Sequence, residues 1–166
     1  MKHLICLFFF CSIAIDTFSQ CSPTISVLGN PLMSSPPSFP SNRIGLDYGD
    51  SELLISDPGI NISIANADAC INSWQIAVSR VDNTINTDFR FWVSKANDGS
   101  STSSGTSINP NGPSGYQEIQ TFSQNFFSGT KNRQSVQINY KISGLSVLKT
   151  ATTYTTTVYY TISYTL

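Results

Sequence analysis

His3 is the only histidine in the 166-residue chain, and it stands next to the N-terminal apolar run. If that run is removed on export, no imidazole remains to act as a general base, to activate a serine or cysteine, or to bind zinc or copper. Glutamate is confined to Glu52 and Glu118. A two-carboxylate glycosidase needs a pair of acids facing each other across a cleft, and no spacing here suggests one. The densest acidic group is Asp47, Asp50, Glu52 and Asp57, set among Gly45, Gly49 and Gly59. It lacks the ordered oxygen spacing of a calcium loop, and turn-forming aspartates in a surface connection explain it more simply. The sequence therefore reads as a protein that is not an enzyme, with no cofactor and no metal.

Recognition is the remaining chemistry, and two tryptophans are its candidates. Trp74 shares a strand face with Ile76 and Val78, which predicts a core position. Trp92 falls opposite Phe89, Phe91 and Val93, so the alternation turns it outward beside Arg90. An outward Trp92 with Arg90 could stack on a sugar ring or dock a partner, or it could simply cover a neighbouring strand.

Elements that position these residues are all strands. The C-terminus shows it best: Tyr154, Thr156, Val158, Tyr160, Ile162, Tyr164 and Leu166 fall on one face, and Thr153, Thr155, Thr157, Tyr159, Thr161, Ser163 and Thr165 on the other. That strict period of two sets one side on a core and the other toward water. The same alternation runs through Ile60–Ile64, Trp74–Ser79, Phe89–Ser94 and Val136–Ser143, with weaker strands expected at Thr24–Leu28, Glu52–Ile55 and Tyr116–Phe122. Short alternating strands divided by Gly, Pro, Asn and Ser clusters predict an all-β chain, a single immunoglobulin-like antiparallel β-sandwich. Pro31, Pro36, Pro37 and Pro40 exclude residues 30–42 from a sheet interior. Residues 97–115, rich in Ser, Gly, Asn and Thr, read as a long flexible loop inside one domain that spans 20–166.

Residues 1–19 read as a cleaved signal peptide. Lys2 and His3 give the positive start, Leu4–Ile15 the apolar run, and Thr17 and Ser19 the small residues before a cut at Gln20. The run falls short of the roughly 20 apolar residues needed to span a bilayer. Acylation of Cys21 is disfavoured by the bulk of Gln20 beside it. The expected product is secreted or displayed at the cell surface, without a membrane span. Removing Lys2 and Asp16 keeps the net charge near −1, which offers no footprint for nucleic acid. Cys6 and Cys11 leave with the leader, so Cys21 and Cys70 are expected to pair in an oxidising compartment.

Ser73-Trp74-Gln75-Ile76-Ala77-Val78, preceded by Asp68, resembles the first W-x-L stretch of WxL-type surface domains. Thr153–Ile162 is similar to that family's closing strand, with Tyr160-Thr161-Ile162 where the second W-x-L would stand. Looser likeness extends to spore-coat-U-like and pilin-like secreted sandwiches. The resemblance implies a β-sandwich held non-covalently at the cell envelope, with Trp74, Ile76, Tyr160 and Ile162 as motif positions in its core. The expected function is envelope attachment or carbohydrate binding, the partner being an envelope glycan or surface protein. The alternative is a structural subunit of a surface fibre, self-associating through its sheet edges as pilin-like proteins do.

Overall fold

A computed structural model describes residues 21–29, 53–68, 72–84, 88–101, 108–109, 115–144 and 153–164. Alternating apolar residues give strands, and all the regular structure among these residues is β. The strands are β1 (Thr24–Leu28), β2 (Leu53–Ala65), β3 (Trp74–Thr84), β4 (Arg90–Lys95) and β5 (Ser100–Ser101). They continue as β6 (Ile108–Asn109), β7 (Gln117–Glu118), β8 (Gln124–Gly129), β9 (Arg133–Ser143) and β10 (Thr155–Tyr164). Two antiparallel sheets form, one in the order β1-β2-β9-β4-β7 with β5 also on β9, the other in the order β10-β3-β8-β6. For brevity these are the first and second sheets.

The inward faces of the two sheets meet in one core, which makes the fold a β-sandwich. The first sheet contributes Ile62, Ile64, Val93, Val136 and Ile138, and the second Trp74, Ile76, Val78, Phe126 and Phe127. Trp74 is fully buried, and its indole Nε1–H donates to the Lys131 carbonyl at 2.8 Å, so the ring's polar edge is satisfied as its body packs. Phe127 meets Trp74 edge-on with centroids 6.0 Å apart, and Phe126 meets Phe127 at 5.1 Å. Burying side chains of this size contributes roughly 1.5–3 kcal/mol each before entropy is counted.

Several expected elements change shape. The strands expected at Glu52–Ile55 and Ile60–Ile64 merge, over residues 53–65, into one strand, β2, whose register against β9 shifts between Ile55 and Ile60. The strand expected over Tyr116–Phe122 shrinks to the two residues of β7. Strand β8 had no alternation to announce it. Ile76 pairs with Phe127 while Ala77 pairs with Asn125, so Phe126 is the extra residue of a bulge. A bulge lets consecutive residues turn the same way, and both phenylalanines enter the core. Within 97–115, Ser100–Ser101 joins β9 and Ile108–Asn109 joins β8, so that stretch touches both sheets. Gly99, at φ +62°, makes the first junction possible: a Cβ there would lie 2.4 Å from the Gln134 carbonyl oxygen.

The alternation of β10 is preserved. Val158, Tyr160 and Ile162 pack against the core, while Thr157, Tyr159 and Thr161 are exposed. Tyr164, expected on the apolar face, is 40 % exposed although it pairs with the buried Trp74, because β10 is the outer strand of its sheet.

Candidate binding face

Strands β4 and β9 run antiparallel in a register that sets Phe91 opposite Ile142 and Val93 opposite Tyr140. Those pairs turn inward, and the intervening residues turn out. Trp92 lies opposite Lys141 on one side and Glu118 of β7 on the other. A cation, an aromatic ring and a carboxylate therefore share one row across three strands.

Within that row the Lys141 ammonium lies 4.9 Å from the centre of the Trp92 ring and 4.9 Å from the centre of the Tyr116 ring. Both distances fall inside the range of attraction between a cation and an aromatic face. The Trp92 indole Nε1–H donates to Ser143 Oγ at 3.0 Å, which fixes the ring's direction. Trp92, Tyr116, Glu118 and Lys141 are each half-buried, and Arg90 is exposed one step along β4, opposite Ser143. Ring faces can stack on the apolar C–H face of a sugar, while a carboxylate, a hydroxyl and two cations can bond its hydroxyls.

Of the residues singled out in the sequence, Trp92 and Arg90 lie on this face. Trp74 and Ile76 are fully buried, and Tyr160 and Ile162 face the core from β10. The four motif positions help hold the sandwich together, and none of them lies on this outer face. Cys21 is half-buried against the core, and Cys70 lies outside the described residues, as do Asp47, Asp50 and Glu52. Asp57 falls within β2, in the register shift. Lys141 and Tyr116 were missed in the sequence. Lys141 is the one cation in the polar series Gln137, Asn139, Lys141, Ser143, and that was the available sign.

A second feature lies between the sheets, where β1 and β10 form neighbouring edges. A groove of about 420 Å³ opens there, lined by Val27, Ile60, Phe91, Val158 and Tyr160 among others. At its floor the Tyr140 and Tyr160 hydroxyls are hydrogen-bonded to each other across the core. Burial pushes the Tyr140 hydroxyl up to about 12. Burial, and the neighbouring Tyr140, push that of Tyr160 well up also.

No protein-family model matches the chain, and no curated protein sequence or solved structure matches it either. No helix among the described residues is long and apolar enough to cross a membrane.

Proposed function

We propose that this chain is a secreted or surface-displayed, non-catalytic β-sandwich that binds envelope carbohydrate through the outer face of β4, β7 and β9. The observation that carries this reading is the row Glu118–Trp92–Lys141, with Tyr116 closing over the ammonium. Two aromatic rings spaced by a cation and edged by a carboxylate combine stacking surface with hydrogen-bonding groups. The resemblance of the Trp74 and Tyr160 stretches to WxL-type domains supports an envelope ligand.

Tryptophan fluorescence provides the test. Trp74 is sealed in the core, so a ligand that stacks on the candidate face perturbs Trp92 emission alone. Titration with soluble peptidoglycan fragments and with neutral polysaccharides should give a saturable change, absent in Trp92→Phe and weakened at least tenfold by Lys141→Ala. Saccharide binding that survives Trp92→Ala unchanged, or none by any saccharide, would overturn the proposal. The second reading, assembly through sheet edges, rests on a separate observation at β10.

A further inference from the structure

Among the described residues five strands have a sheet neighbour on one side only, and four of them, β5 with its two residues included, are short. β1 has five residues, and β6 and β7 have two each. β10 has ten, about 33 Å at the usual rise per residue. It pairs with β3 alone, and no strand among the described residues lies along its other edge. The irregularity in the β3–β10 pair falls on β3, where Asn83 is skipped, so β10 itself is unbroken.

Natural edges of this length are guarded by lysine, proline, bulges or a covering element. From Thr153 to Leu166 the chain has no charged residue, no proline and no glycine. An unpaired strand edge offers alternating N–H and C=O groups, and only another extended chain can satisfy them in series. We propose that the partner is a second copy of this chain, its β10 pairing antiparallel with the first across a two-fold axis.

Charge and register single out that occupant. In an antiparallel pair, residues directly opposite share a face, and two β10 strands that pair over residues 155–163, nine of the ten, centre on Tyr159. Tyr159 then meets its own copy, Thr157 meets Thr161 and Thr155 meets Ser163 on the outer face. On the inner face Val158 meets Tyr160 and Thr156 meets Ile162. Every pair is aromatic, β-branched or hydroxyl-bearing, the kinds that stabilise cross-strand contacts, and none places like charges together. The outer residues are accessible for it, with Tyr159 51 % exposed.

Area sets the strength. An edge about 33 Å long on a sheet about 10 Å thick gives roughly 330 Å² per partner, against about 800 Å² in a standard stable interface. The adjacent groove, rimmed by Val27 at 44 % exposure, supplies apolar surface that the incoming strand would cover. The association is therefore weak and dependent on concentration.

Sedimentation velocity of the protein as secreted by an expression host, over a hundredfold concentration range, reads this directly. Wild type should pass from monomer to dimer. Tyr159→Lys sets two ammonium groups opposite each other on the axis and should weaken dimerisation at least tenfold with an unchanged urea midpoint. Asn125→Lys, exposed on β8 in the same sheet, should leave dimerisation as in wild type. Oxidation should link Tyr159→Cys to its copy and leave Thr155→Cys unlinked to its own, because those residues are far apart across the axis. A wild type that is monomeric throughout, a dimer untouched by Tyr159→Lys, or an edge that takes only a foreign strand would each overturn the assignment. Trp92 lies in the other sheet, so failure of saccharide binding and failure of edge pairing are read separately.

Discussion

Replacing the two tyrosine hydroxyls that meet at the floor of the groove tests how the sandwich is closed. Tyr140 comes from β9 in one sheet and Tyr160 from β10 in the other, and their hydroxyls form a single hydrogen bond. Tyr160→Phe keeps the ring and removes one oxygen, leaving the Tyr140 hydroxyl buried without that partner. An orphaned buried hydroxyl costs about 1–3 kcal/mol, so each single Phe variant should lose that much. The double Phe variant orphans nothing and should fall within about 1 kcal/mol of wild type, well short of the sum of the singles. Tyr160→Ala also removes the ring that packs beside Phe126, and should cost about 3–5 kcal/mol. Thr157→Ala and Thr161→Ala, exposed on the opposite face, should each change stability by less than about 0.5 kcal/mol. Urea melts give these numbers from the midpoint at constant slope. Strictly additive Phe variants, or threonine losses as large as that of Tyr160→Ala, would refute the assigned facing of β10.

The same pair predicts alkaline sensitivity. Both hydroxyls hold their protons more tightly in the folded chain, Tyr140 up to about 12, whereas unfolded tyrosines ionise near 10. Above that pH the unfolded state binds fewer protons, so stability is flat below about pH 9 and falls between about 10 and 12, by up to about 1.4 kcal/mol per unit for each tyrosine. Urea midpoints across pH 8–12 measure it, and the slope should flatten in the double Phe variant. Cys21 and Cys70 should be joined, closing a loop of about 50 residues worth roughly 4 kcal/mol in the chain-entropy model. Free-thiol titration of oxidised protein should find neither reactive, and reduction should lower the melting temperature without abolishing the fold.

Period two was readable wherever a strand buries one face and obeys a single register. β4 and β10 are of that kind, as are residues 74–78 of β3 and 136–140 of β9, and Trp74, Ile76, Val136 and Ile138 could be placed in the core from the chain alone. β8 was not, because the bulge at Phe126 breaks the alternation that a sequence can display. Asp57 and Pro58 hid the continuity of β2, since a register shift lets one strand carry residues that look like a turn. The candidate face was half legible. Trp92 follows from its neighbours on β4, but Tyr116 and Lys141 reach it through cross-strand register, which depends on which strands lie side by side. No local pattern encodes that.

The place of β9 in the first sheet has a kinetic consequence. It pairs with β2, β4 and β5, so the β1–β2 and β4–β7 pairs stay separate until residues 133–143 join them. The second sheet is completed last, for Thr155 must find Thr84, 71 residues upstream. Contacts this distant require loops to close before they return any stability, which places such topologies in the millisecond-to-second range of folding times. A chain emerging N-terminus first thus holds separate strand pairs, not joined into a sheet, until its last quarter arrives. A version that stops short of β9 leaves those pairs with open edges and the first sheet without its central strand.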